Sequence, residues 1–159
     1  MGEIAIGHQA IPFCLPDADE KKVCLNDYSG RWVVLYFYPR DNTSGCTLEA
    51  INFTKEIEKF RDLGTEVIGI SPDSPKSHCA FRNRHDLKVI LLSDLDHHVL
   101  EKYGVWILKK MYGKEHYGVE RSTFIINPQG TVAAVWRKVK VDGHIQEVME
   151  KLKSLQQSR

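Results

Sequence analysis

The sequence predicts an α/β domain built on a mixed β-sheet, and three observations support this class. Strand-like apolar runs alternate along the chain with segments of helical periodicity. The run WVVLYFY (residues 32–38) is apolar throughout, which is typical of a central strand buried on both faces. The turn signal NPQG (residues 127–130) separates the last two strand-like runs, STFIIN and TVAAVWRKV, and predicts that they pair antiparallel.

The elements of the first half follow in order. AIPFCLP and KKVCLND flank the polar residues 17–20 and predict a short N-terminal hairpin, which precedes the central strand. From Cys46 onward, apolar residues recur at three- and four-residue spacing, and Gly64 predicts the end of that helix. EVIGIS (residues 66–71) then predicts the next strand.

The second half begins with a helix, because Ser74 is a favoured N-cap and Pro75 a favoured first helical residue. VILLSD (residues 89–94) predicts a strand, and a short helix is expected at residues 99–103. The polar residues 109–118 are predicted to form a surface loop. The apolar stripe of the final helix consists of Ile145, Val148, Met149, Leu152 and Leu155.

Length and charge limit the classes of function. A chain of 159 residues has the length of one ordinary domain, so we expect a single domain over residues 1–159. With 22 Lys+Arg against 21 Asp+Glu, the net charge of +1 gives no electrostatic signature of a nucleic-acid or membrane partner. The N-terminus lacks the basic start and long apolar stretch of a signal peptide, so we expect a cytoplasmic protein.

One cysteine, Cys46, lies where the central strand gives way to a helix, in the stretch FYPRDNTSGCTLEA (residues 37–50). Unpaired backbone N–H groups and the helix dipole favour the thiolate at such a position, and the thiolate is the nucleophilic form. A free cysteine is more often a small buried packing residue. Position alone leaves both interpretations open.

The residues around Cys46 extend this pattern. Pro39, Thr43 and Cys46 form P-x-x-x-T-x-x-C, which resembles the active-site signature of the peroxiredoxins. FCLPD, DYSGRWVVLYFYP, VIGISPDS and GVERSTFIINPQG also resemble, in order, the bacterioferritin comigratory protein or peroxiredoxin Q subfamily over most of the chain. The resemblance implies a thioredoxin-like fold, with a mixed central sheet flanked by helices and an N-terminal β-hairpin. It also implies thiol-dependent reduction of hydrogen peroxide and organic hydroperoxides, with no metal or organic cofactor.

The resemblance also assigns roles to individual residues. Cys46 matches the peroxidatic cysteine, whose thiolate attacks the peroxide and becomes a sulfenic acid. Thr43 matches the hydroxyl that binds the peroxide, and Pro39 the ring that shields the thiolate. Arg121 matches the arginine that stabilises the thiolate, and Glu49 a polar residue that orients this arginine. Taken singly, Thr43 can be a helix cap, Pro39 a strand end and Arg121 a surface charge.

The chain departs from many relatives in its resolving cysteine. Ile51 occupies the position of the second cysteine of those relatives. Other relatives carry the resolving cysteine on the helix after SPD. In this chain Arg82 occupies the expected position, and Cys79 lies one helical turn before it. Cys79 is therefore the candidate resolving cysteine. Its alternatives are a half-buried packing role and a one-cysteine mechanism resolved by an external thiol. Because a disulfide requires Cα atoms within about 7 Å, we expect one of the two helices to unfold locally first.

The other cysteines and the histidines suggest no further chemistry. If the hairpin pairs Leu15 with Val23, Cys14 and Cys24 lie opposite each other, and we expect them to be packing residues and not a disulfide. The pairs His97-His98 and His78-Cys79 lack the spacing of a metal site.

Rival functions on the same fold fit the sequence less well. A disulfide oxidoreductase needs C-x-x-C, and a copper-assembly module needs C-x-x-x-C, where Ala50 stands instead. A peroxide sensor that signals to a partner protein stays open, because it shares the first chemical step. The resemblance implies thioredoxin or a similar dithiol as the reductant, and a monomer.

Overall fold

A five-stranded mixed sheet forms the centre of the molecule, seen in a computed structural model that describes residues 4–157. In chain order the strands are β1 (Cys14–Pro16), β2 (Lys22–Cys24), β3 (Trp32–Phe37), β4 (Thr65–Ser71), β5 (Ile90–Ser93), β6 (Trp106–Met111), β7 (Lys114–Val119), β8 (Ser122–Ile126) and β9 (Val132–Trp136). The helices are α1 (Ser44–Lys55), α2 (Ile57–Asp62), α3 (Pro75–His85), α4 (His98–Lys102) and α5 (His144–Gln157). The predicted mixed α/β architecture is confirmed.

Strand β3 is the middle strand of the sheet, whose order is β5-β4-β3-β8-β9. It runs parallel to β4 and antiparallel to β8, and all six of its residues are buried. Val34 and Tyr36 pack in the cluster that includes α1, α2 and α5, whereas Leu35 and Phe37 pack in the cluster on the opposite face. Burial of both faces explains why the run from Trp32 onward is apolar without alternation.

Local signals predicted the start of α3 correctly and the helix before it only approximately. The side chain of Ser74 accepts a hydrogen bond from the backbone N–H of Ser77 at 3.1 Å, and Pro75 is the first residue of α3. The helix expected from Cys46 onward begins two residues earlier and is divided at Glu56 into α1 and α2.

The predicted surface loop at residues 109–118 is wrong. These residues belong to a second hairpin, β6–β7, whose turn consists of Tyr112 and Gly113, both with positive φ. Most side chains of this hairpin are exposed, so its strands lack the alternation of apolar and polar residues that a half-buried strand shows. Stacking of Trp106 on His97, with ring centroids 3.9 Å apart, attaches its base to the residue before α4.

The expectation for Cys14 and Cys24 is also wrong. Leu15 pairs with Val23 as anticipated, which places the two cysteines opposite each other, and they form a disulfide. The expectation treated both cysteines as small packing residues, whereas the strand register brings their side chains together on one face of the hairpin. This disulfide does not include Cys46, so it is separate from peroxide chemistry at that thiol.

Candidate active site

Cys46 is the third residue of α1 and lies in its first turn, as predicted. The loop that follows β3 carries the chain from the end of the middle strand into this helix. The thiol is free and only 1% exposed. A cysteine in the first turn of a helix faces unpaired N–H groups and the positive end of the helix dipole, which favour the thiolate.

Arg121 contacts the sulfur directly. It immediately precedes β8, and the pairing of Phe37 with Ser122 brings it to the end of β3, beside the start of α1. Its Nη2 donates to Cys46 Sγ at 3.2 Å, and its Nη1 donates to Glu49 Oε1 at 2.6 Å. The guanidinium therefore bridges the thiol and the carboxylate.

Glu49 lies one turn after Cys46 on α1 and is completely buried. Burial raises the pKa of Glu49 to about 7, although the charge and hydrogen bond of Arg121 act in the opposite direction. Its second oxygen, Oε2, is buried with no hydrogen-bond partner among the described residues. Burial alone would lower the pKa of Arg121, but the neighbouring Glu49 and Cys46 raise it, so the guanidinium stays charged.

Thr43 and Pro39 border the site in the loop between β3 and α1. Thr43 is the residue before α1, but its hydroxyl donates to the carbonyl of Arg40 at 3.0 Å, and within residues 4–157 it makes no capping hydrogen bond. Its oxygen keeps lone pairs for a further hydrogen bond, and Thr43 as a whole is exposed. Pro39 is half-buried two residues after the end of β3.

Cys79 lies separately on α3, half-buried and with a free thiol. Two donors face its sulfur: Arg82 Nη2 at 3.7 Å and Asn83 Nδ2 at 3.6 Å. Arg82 is fixed by a two-pronged ion pair with Asp19 in the turn of the first hairpin, at 3.0 and 3.1 Å. The structure therefore places Cys79 in a donor-rich environment, without joining it to Cys46.

Sequence reasoning missed a buried polar cluster between the active-site loop and α3. Asp41, Asp73 and His78 bring potential metal-ligand atoms within 4.8 Å of one another. Both ring nitrogens of His78 already have hydrogen-bond partners, so a metal would have to displace them. Asp41 and His78 are 37 residues apart, and no local pattern relates them.

Comparison with known proteins assigns the chain to a family. Residues 6–135 match the AhpC/TSA family. Peroxiredoxin Bcp of Bacillus subtilis is 45% identical over 152 residues, which cover 96% of this chain and 97% of that protein. A putative peroxiredoxin bcp of Coxiella burnetii is 45% identical over 149 residues, covering 94% of this chain and 99% of the relative. The chain belongs to the AhpC/TSA family.

Solved structures agree. A PrxQ mutant of Xylella fastidiosa superposes with a TM-score of 0.93 at 35% identity, covering 99% of this chain and 100% of the other. Bacterioferritin comigratory protein of Xanthomonas campestris, studied for its alkyl peroxide reduction activity, superposes with a TM-score of 0.85 at 39% identity, covering 89% and 90%. The predicted thioredoxin-like fold and peroxiredoxin class are confirmed, and the protein is an enzyme of the thiol peroxidase class. Within residues 4–157, no helix is long and apolar enough to span a bilayer.

Proposed function

We propose that Cys46 is the peroxidatic nucleophile and that hydrogen peroxide and organic hydroperoxides are its substrates. The observation that carries this proposal is the 3.2 Å contact between Arg121 Nη2 and the buried sulfur of Cys46. The thiolate attacks one peroxide oxygen, the O–O bond breaks, and the leaving oxygen takes a proton to become water or an alcohol. Cys46 retains the transferred oxygen as a sulfenic acid.

Four further residues are proposed to assist this step. Negative charge moves from sulfur to the leaving oxygen in the transition state, and Arg121 offers fixed donors that follow it. Thr43 presents an exposed hydroxyl to a peroxide bound at the start of α1. Pro39 excludes water from the thiolate, and Glu49 holds the guanidinium through its 2.6 Å hydrogen bond.

We further propose that Cys79 resolves the sulfenic acid as an intramolecular disulfide. Its thiolate attacks Cys46 Sγ, hydroxide leaves and is protonated to water, and the disulfide then accepts two electrons from thioredoxin or a similar dithiol. The donors Arg82 and Asn83 face the sulfur of Cys79 and can hydrogen-bond to it during this attack. Both cysteines lie within helices, so bond formation requires local unfolding of α1 or α3.

The domain organisation, location and oligomeric state of the protein are also part of this proposal. We propose that residues 1–159 form a single domain that acts as a cytoplasmic monomer, with no nucleic-acid or membrane partner. The near-neutral net charge of +1 supports the last point.

The test is a peptide map by mass spectrometry after one equivalent of hydrogen peroxide is added to reduced protein. We expect a Cys46–Cys79 crosslink, which Cys79→Ser abolishes and replaces by oxidised Cys46. Oxidised Cys46 with free Cys79 in the unaltered protein would instead show resolution by an external thiol. No oxidation of Cys46 would refute the peroxidatic role. Repeated turnover with a dithiol reductant distinguishes a scavenger from a sensor, which stops after one equivalent.

A further inference from the structure

A buried acid–histidine pair joins the active-site loop to the helix that carries Cys79. Asp41 lies in the loop between β3 and α1, and His78 lies in the first turns of α3. Their side chains are 1% and 0% exposed, and His78 Nδ1 is 2.7 Å from Asp41 Oδ2. Both residues are therefore removed from solvent while in direct contact with each other.

Hydrogen bonds hold both members of the pair from several sides. His78 Nε2 is 3.0 Å from the carbonyl oxygen of Leu92, which can only accept. The Asp41 carboxylate accepts from the hydroxyl of Tyr38 at 2.6 Å and from that of Ser77 at 2.8 Å. The ring of His78 therefore lies between the Asp41 side chain and a backbone carbonyl, and Asp41 is held by the residue that follows β3 and by residues of α3.

The surrounding groups extend this network. The Asp73 carboxylate lies within 4.8 Å of the same atoms and accepts from the backbone N–H of Asp41 at 2.8 Å, which ties the backbone of the loop to the segment before α3. Burial, followed by the nearby Asp41 charge, raises the pKa of Tyr38 well above its ordinary value, so this hydroxyl remains a donor.

We propose that Asp41 and His78 are positioning residues, forming a latch that holds the active-site loop closed on α3 during peroxide attack and must open for the disulfide to form. The second half of this inference rests on the proposed resolving role of Cys79. The loop that the latch fixes contains Pro39 and Thr43 and leads directly into the first turn of α1. His78 is adjacent to Cys79, so opening the latch frees both reacting segments at once.

The latch therefore has opposite effects on the two steps of catalysis. Closed, it holds the loop in the arrangement that favours attack on peroxide. A latch that stays closed after the attack also leaves the sulfenic acid of Cys46 exposed to a second peroxide, which would oxidise this sulfenic acid to the sulfinic acid. Weakening the latch should slow the first step, accelerate disulfide formation, and raise the peroxide concentration needed for sulfinic acid.

The test uses Asp41→Asn and His78→Gln in the full chain, with Leu152→Ala in α5 as a control for general destabilisation. We expect amide exchange in reduced protein to accelerate about tenfold or more in peptides covering residues 38–46 and 75–82, since a buried hydrogen bond between the two segments is lost. The control should show no such selectivity. Stopped-flow oxidation should show peroxide attack slowed several-fold and disulfide formation accelerated.

Nitrogen-15 NMR of His78 provides a readout independent of turnover. Ring N–H protons of His78 that exchange slowly with water in the reduced protein support the latch, and ring protons that exchange rapidly in the unaltered protein overturn the buried hydrogen-bonded pair. Amide exchange unchanged in the latch variants, or accelerated as uniformly as in Leu152→Ala, also overturns the proposal. If exchange accelerates selectively while no Cys46–Cys79 disulfide ever forms, the latch is supported and the resolving role of Cys79 is refuted.

Discussion

The titration of Glu49 makes a quantitative prediction about stability. Burial raises the pKa of Glu49 to about 7 from an ordinary value of 4.5. Each unit of pKa difference between the folded and unfolded states corresponds to about 1.4 kcal/mol. The difference for Glu49 therefore corresponds to about 3 kcal/mol of unfolding free energy. The native state binds the proton more tightly than the unfolded chain. Stability from this group is therefore fully present below pH 4.5 and is lost as the pH rises through about 7.

Glu49→Gln removes the titrating group but keeps an oxygen that can accept from Arg121. We expect the unfolding free energies of the variant and the unaltered protein to be similar at pH 4.5. At pH 8 the variant should be more stable by about 3 kcal/mol, because it has no buried charge to form. Oε2 adds to this expectation, since no donor among residues 4–157 reaches it.

The assay is urea denaturation of both proteins at several pH values between 4.5 and 8.5. The relevant quantity is the difference in unfolding free energy at each pH, in which the contributions of all other titrating groups cancel. A difference that stays constant across this range would show that burial does not control the ionisation of Glu49. A variant that becomes less stable as the pH rises would show that the ion pair with Arg121 outweighs the burial of the charge.

Three further variants test the site and the hairpin. Arg121→Lys should slow peroxide attack about 100-fold or more in stopped-flow measurements, because one ammonium cannot bridge the thiol and the carboxylate as the guanidinium does. A rate of attack that falls less than about threefold would remove the bridge from the mechanism. Gly45→Ala places a Cβ 3.2 Å from Arg121 Nη2, so we expect attack to slow several-fold while the melting temperature does not fall, as alanine stabilises helices. An unchanged rate would show that the guanidinium adjusts freely. Replacing Cys14 and Cys24 together by serine should lower the unfolding free energy by about 2–3 kcal/mol for this ten-residue separation, and a reductant should then have no further effect.

Elements with a local cause were predictable from the sequence. Strand β3 is apolar because both its faces are buried, and α3 begins where Ser74 caps it. The hairpin β6–β7 was missed because its mostly exposed strands carry no apolar alternation. Pattern-based reasoning depends on burial, so it identifies strands only where one face or both are covered.

The residues around the site also divide into those that the sequence predicted and those that it did not. The family signature pointed to Cys46 and Arg121, and the structure brings them into contact. The family signature could not reveal the pair of Asp41 and His78, because a buried hydrogen-bonded pair between distant segments exists only after the sheet has formed. The bond between Cys14 and Cys24 was missed although the register was predicted.

The bridge made by Arg121 also has a consequence for biosynthesis. Cys46 and Arg121 are separated by 75 residues, and they meet only when β8 pairs with β3. A ribosome therefore makes Cys46 before it makes the arginine that, in the mechanism proposed above, activates it. In that mechanism the nascent chain carries an ordinary cysteine, and its thiol becomes reactive only when the central sheet is complete. We expect peroxide reactivity of Cys46 to report completed folding.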